Sequence, residues 1–149
     1  MHAVCGGRAT RRETIHMTLV FLGAVEFVQL DTMRAIAAGV TSPTFSWQIE
    51  KAGWWRHNRI AWVAPVATPP ELTLLVGQLQ RGLQQAGFEF DQRPYVPHAT
   101  LLRKADCREA MLGLDPIAWD VSEFVLVRSV ITSVGVTYEP IGRWPLARS

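Results

Sequence analysis

Apolar positions along the 149-residue chain change period several times, and each change predicts an element. From about Thr14 to Leu22, His16 and Thr18 alternate with Met17 and Leu19, which predicts a strand. Gly23 ends it. Met33, Ile36 and Ala37 then give Leu30–Val40 the apolar face of a short helix, with Asp31 or Thr32 at its start and Gly39 at its end. Phe45, Trp47 and Ile49 alternate with Ser46, Gln48 and Glu50, so Phe45–Ala52 is expected as a half-buried strand. The loop Trp55-Arg56-His57-Asn58 turns it into a returning strand, Arg59–Ala64. The helical period is clearest at Leu72, Leu75, Val76, Leu79 and Leu83. Thr68-Pro69-Pro70-Glu71 opens that helix with a capping hydroxyl and an early proline, and Gly87 closes it.

Beyond it, Phe88-Glu89-Phe90 alternates briefly, and Arg93-Pro94-Tyr95-Val96-Pro97 leads into a strand at His98–Arg103. Asp106–Leu114 predicts a short helix, and Val121–Val130 and Gly135–Ile141 two more strands. Residues 1–5 read as the tail of a helix closed by Gly6-Gly7, too short to stand alone. Helices mixed with antiparallel strands indicate an α+β fold, one domain or two small lobes sharing a core.

The 48% hydrophobic content fits a packed core. No apolar run approaches the roughly 18 residues of a membrane span, and the start lacks a secretion signal, so a cytoplasmic protein is expected. Net charge is only +2, yet 13 of the 15 basic residues are arginine. Arginine grips phosphate oxygens bidentately. GC-biased codon usage produces the same excess, so only positioned arginines carry weight. Cys5 and Cys107 have no companions at metal-ligand spacing and are expected as free thiols in a reducing compartment.

Two of the four histidines stand in the same short pattern, Ile15-His16-Met17-Thr18-Leu19-Val20 and Pro97-His98-Ala99-Thr100-Leu101-Leu102. In a strand each pair would project an imidazole and a hydroxyl together. One such pair is weak, since a histidine on a mixed strand is commonly structural. The repetition carries the signal. Zinc usually takes three or four protein ligands and none cluster here, so no metal is expected. A nucleophile elbow is also missing. Two histidines facing one cleft suit displacement at a phosphodiester, where one ring takes a proton and the other gives one. An imidazole titrating near ~6.5 serves either role at neutral pH, and the threonine hydroxyls can donate to non-bridging oxygens. Arg103 lies at odd spacing from His98, so an ideal strand would turn it away; a strand end or a bulge would bring it back.

These motifs resemble the 2H phosphoesterases, in particular the bacterial 2′-5′ RNA ligase or RNA 2′,3′-cyclic phosphodiesterase group. The likeness runs through His16–Gly23, Arg93–Leu101, and Val121–Ser129 with Gly135, Tyr138 and Trp144-Pro145-Leu146. It covers about residue 8 to the C-terminus. The resemblance implies one bilobal domain over 1–149, with two antiparallel sheets flanking a central cleft, helices on the outer faces, and one motif from each sheet. It implies metal- and cofactor-free hydrolysis of RNA terminal 2′,3′-cyclic phosphate to a 2′-phosphomonoester, with reversible 2′-5′ ligation as a companion activity. His16 would be the proton donor and His98 the acceptor, with Thr18, Thr100 and Arg103 binding the phosphate.

Two alternatives stand beside this reading. One is a related phosphodiesterase for ADP-ribose cyclic phosphate or 2′-5′ oligonucleotides. The other is an RNA-binding module with weak or lost catalysis, served by Arg8, Arg11 and Arg12. Trp54, Trp55, Tyr95 and Tyr138 are candidates to stack a base, while His2 and His57 are expected at the surface. The resemblance implies a strand and a helix before the first motif, of which the first strand and most of the helix are expected to be missing from this sequence. An uncovered sheet edge would then favour an edge-paired or strand-exchanged homodimer, or lower stability.

Overall fold

The computed structural model describes residues 1–108 and 114–148. Along the chain run α1 (His2–Cys5), β1 (Arg8–Ala9), α2 (Leu30–Ala38), β2 (Phe45–Ile49), β3 (Lys51–Trp55) and β4 (Ile60–Ala64). Then come α3 (Pro70–Gln85), β5 (Ala99–Arg103), β6 (Ile117–Val121), β7 (Glu123–Thr132) and β8 (Gly135–Pro145). The pairings of β1 with β5, β3 with β4, β4 with β5 and β7 with β8 are antiparallel, as the α+β reading expects. Among the described residues, no helix is long and apolar enough to cross a membrane. The chain forms two compact units, Met1–Thr18, Trp47–Thr68 and Val96–Trp119 in one, and Leu19–Ser46, Pro69–Tyr95 and Asp120–Ser149 in the other.

In the first unit a four-stranded sheet has the order β1-β5-β4-β3. Alternation explains its two faces. Ala61 and Val63 of β4 and Ala99 and Leu102 of β5 are buried on one side. There Ala61 and Leu102 pack with Cys5, Ala105 and Cys107, and Met1, Trp54 and Leu101 border the cluster. Cys5 and Cys107 form a disulfide, which corrects the expectation of free thiols. The cause is long-range: the amide of Asp106 donates to Cys5 O (2.9 Å) and brings the two segments side by side. Trp54 Nε1 donates to Ala105 O at 3.2 Å, so this indole holds the core rather than facing a ligand.

The first motif differs from expectation. No strand runs from Thr14 to Leu22; Met17 alone bridges Ala99, antiparallel. The reason lies in the edge of β5, which is already taken further along by β1, pairing Arg8 with Arg103 and Ala9 with Leu102. The polar stretch between, with a 3-10 turn at Arg12–Thr14, loops out before the chain rejoins at Met17. Both motifs therefore lie in one unit and meet the same strand, not one on each of two sheets.

In the second unit α3 buries Leu72, Leu75, Val76, Leu79 and Leu83, the stripe that its period predicts. It begins at Pro70 with no side-chain cap, so Thr68 does not serve. At its end the amides of Gly87 and Phe88 donate to Gln84 O and Leu83 O (3.1 and 3.0 Å), a Schellman closure. Phe88–Phe90 is not a strand. The amide of Thr41, after α2, donates to Gln78 Oε1 on α3 at 2.8 Å. β7 and β8 form a long hairpin in which Phe124 and Trp144 stack at 5.7 Å. The expected strand Phe45–Ala52 is split at Glu50, with β2 pairing β6 and β3 pairing β4. Most of the helix expected at Asp106–Leu114 lies outside the described residues.

Candidate active site

The strand register decides which side chains share a face. Ala61 pairs with Leu102 and Trp62 with Thr100, so one step along β4 matches two along β5. Leu101 is the extra residue of a β-bulge. Paired residues project to the same side, and neighbours on β4 to opposite sides. Thr100 therefore shares the face of Trp62, whereas Leu102 shares the buried face of Ala61. Arg103, the next residue, returns to the side of Thr100 and is exposed. The odd spacing from His98 is thus corrected by one inserted leucine, which packs with Leu102 toward the core.

The bridge between Met17 and Ala99 turns both of those side chains to the core side. Continued by one residue on each side, antiparallel register would set His16 opposite Thr100 and Thr18 opposite His98, on the side of Arg103. Ladder geometry would then put the diagonal pair His16 and His98 about 7–8 Å apart, an interval that one phosphate group with a hydrogen bond on each side would fill.

The two imidazoles are anchored alike. His16 Nδ1 lies 2.7 Å from Thr14 O, and His98 Nδ1 lies 2.9 Å from Val96 O. A carbonyl can only accept, so Nδ1–H donates in both rings. The neutral tautomer then leaves the Nε2 lone pair as the proton-transfer atom of each. In both motifs the anchoring carbonyl belongs to the residue two before the histidine, so the arrangement follows from local backbone. Among the described residues, no group of three or more His, Cys, Asp or Glu could hold a metal.

Trp55 meets His98 edge to face, with centroids 4.6 Å apart at 74°, and lies 5.4 Å from Trp62. Trp62 crosses β3 at Gly53, its register partner. A Cβ at Gly53 would fall 2.2, 2.5 and 2.6 Å from three carbons of that indole. Only glycine leaves room for the ring there. Trp55 was among the candidates for base stacking and is the one that lies beside His98. Trp62 was not foreseen, although the alternation Ile60, Trp62, Ala64 against Ala61 and Val63 carries the signal. Tyr95, whose phenol is pushed up by burial, and Tyr138 belong to the second unit. His57 lies 6.5 Å from Trp55, and His2 bonds to Gly7 O at 3.1 Å, both exposed.

Comparison with known proteins adds a family. Residues 3–130 match the model of the 2′-5′ RNA ligase superfamily. The RNA 2′,3′-cyclic phosphodiesterase of Escherichia coli (strain K12) is 31% identical over 145 residues, covering 95% of this chain and 81% of that protein. The Bacillus subtilis (strain 168) protein of the same name is 33% identical over 93 residues, covering 60% of this chain and 51% of its own. The crystal structure of E. coli LigT in apo form superposes with a TM-score of 0.85 at 30% identity, covering 95% of this chain and 81% of that one.

Proposed function

We propose that this chain, which belongs to the 2′-5′ RNA ligase superfamily, hydrolyses the 2′,3′-cyclic phosphate at RNA 3′ ends to a 2′-phosphomonoester. The observation that carries the reading is the matched anchoring of His16 and His98, each with Nδ1 on the carbonyl two residues before it and each two residues before a threonine. His98 Nε2 takes the proton of a water as its oxygen attacks phosphorus. His16 Nε2, protonated, gives its proton to the departing 3′ oxygen, so the P–O3′ bond breaks as the P–O bond to water forms. Thr18 and Thr100 hydroxyls and the Arg103 guanidinium donate to the non-bridging oxygens, whose charge rises in the transition state.

A 5′ hydroxyl in place of water would attack with the same proton roles and give a 2′-5′ linkage; cleavage of that linkage back to the cyclic phosphate exchanges them, and the alike anchoring of the two rings supports both directions. The partner is an RNA end or a cyclic nucleotide. One related crystal structure is of E. coli LigT complexed with 3′-AMP (TM-score 0.85, 30% identity), a ribonucleotide with its phosphate on the 3′ oxygen. An edge-paired homodimer would use the outer edge of β1, only two residues long; light scattering reads it directly.

The test is turnover of 2′,3′-cyclic AMP in EDTA. The expected product is 2′-AMP, with His16→Ala and His98→Ala each slowing it by about 10²- to 10⁴-fold. Full activity in both folded variants, or dependence on added metal, would overturn the mechanism.

A further inference from the structure

β1 brings a second arginine to the face of the two motifs. Arg8 is the register partner of Arg103, and Ala9 that of Leu102. Leu102 is buried on the core side, so Arg8 and Arg103 stand side by side on the other side, both exposed. Like charges directly opposite on neighbouring strands repel. Among the described residues neither guanidinium has a carboxylate partner, whereas Arg34, Arg93, Arg108, Arg128 and Arg143 each have one.

The backbone holds this pair together. Gly7 approaches β5 so closely that a Cβ there would fall 2.5 Å from Arg103 O. Thr10 N donates to Leu101 O at 2.8 Å on the far side of the pair. The disulfide Cys5–Cys107 ties the start of β1 to the segment just after β5. Two cations fixed in register, without acids, form a site for an anion.

We propose that Arg8, held beside Arg103, forms a second phosphate subsite, which takes the internucleotide phosphate one nucleoside before the cyclic end. This rests on the phosphodiesterase reading above and deepens it, naming Arg8 as the residue by which RNA chain ends are preferred to cyclic mononucleotides. The bulge at Leu101 takes up one residue, so Arg103 lies two strand steps of about 3.3 Å, roughly 7 Å, along β5 from Thr100. Its guanidinium reaches back toward the reacting phosphate, while Arg8, one strand further out, meets the next phosphate. Bidentate guanidinium bonds suit a phosphodiester.

The experiment compares kcat/KM for 2′,3′-cyclic AMP and for the dinucleotide ApA ending in a 2′,3′-cyclic phosphate, in wild type, Arg8→Gln and Arg8→Lys. The wild type favours the dinucleotide. In Arg8→Gln the dinucleotide-to-mononucleotide ratio falls about tenfold, and Arg8→Lys retains part of it. The salt dependence on the dinucleotide loses about one unit of slope. The unfolding midpoint of Arg8→Gln stays level or rises, because a repulsion has gone. A ratio unchanged in Arg8→Gln overturns the subsite. So does an equal fall on both substrates with a lowered midpoint, which marks Arg8 as structural. Calorimetry with 2′-AMP and ApA 2′-phosphate gives the same ratio as Kd without turnover. If the wild type cleaves neither substrate, the phosphodiesterase reading fails, and an Arg8-dependent Kd ratio still decides the subsite.

Discussion

Gly53→Ala tests how the aromatic pair supports His98. The added methyl would stand 2.2–2.6 Å from three carbons of the Trp62 indole, against the 3.5–4.0 Å at which carbon atoms rest. The ring must move by more than an ångström or the strands must part. Overpacking of this kind costs about 1–3 kcal/mol, which lowers the midpoint of a protein this size by roughly 2–10 °C. The displacement is passed on, because Trp62 touches Trp55 and Trp55 touches His98. A misplacement of about 1 Å at the reacting group can cost up to ~10²-fold in rate. Differential scanning fluorimetry and turnover of 2′,3′-cyclic AMP measure the two effects. Trp62→Leu in the Gly53→Ala background is expected to restore stability, as coupled neighbours require. An unchanged midpoint with unchanged turnover in Gly53→Ala would show that the indole does not lie over residue 53.

Three further outcomes are expected. Reduction, or Cys5→Ser, releases a loop closed over a sequence separation of 102, worth up to about 4.7 kcal/mol by chain entropy; thermal unfolding with and without a phosphine reductant reads it, and an unshifted midpoint refutes it. The Arg93 guanidinium, hydrogen-bonded to Asp91, holds that carboxyl down at about 2 instead of 3.8. Its small, salt-screened contribution to stability is present above the ordinary carboxylate range and is lost as pH falls through about 2. An NMR titration should place the Asp91 midpoint there and return it to about 3.8 in Arg93→Gln. Leu75→Ala, at a 1% exposed position of α3, should cost about 2–5 kcal/mol in urea unfolding; a loss below about 1 kcal/mol would mean that α3 is not packed as described.

What could be read in advance was whatever depends on local period. Leu72 to Leu83 announce α3 because five apolar residues keep one face, and Val121–Val130 with Gly135–Ile141 announce the β7–β8 hairpin by alternation. The paired His-x-Thr motifs mark the candidate site, while the odd spacing of Arg103 left a strand end or a bulge to return it, and the β4–β5 register has the bulge. What escaped depends on pairing between distant segments. The edge of β5 is shared between Arg8-Ala9 and Met17, so the His16 stretch alternates like a strand without forming one. The disulfide joins Cys5 to Cys107, and the nearness of Arg8 to Arg103 is likewise a matter of register. Trp62 escaped for another reason, since its place over Gly53 becomes visible only when β3 and β4 are aligned.

The lone bridge at Met17 also bears on how the site opens. His98 leads into a strand paired on both flanks, whereas among the described strand pairings the His16 stretch meets that sheet at the Met17–Ala99 bridge, beside a looped-out turn. Elements secured by so few ladder bonds separate at far lower free energy than the strand they lean on. Amide exchange around His16 should therefore run orders of magnitude faster than in Ala99–Arg103. A phosphate gripped between the rings would slow it, making the first motif a clasp that the substrate itself fastens.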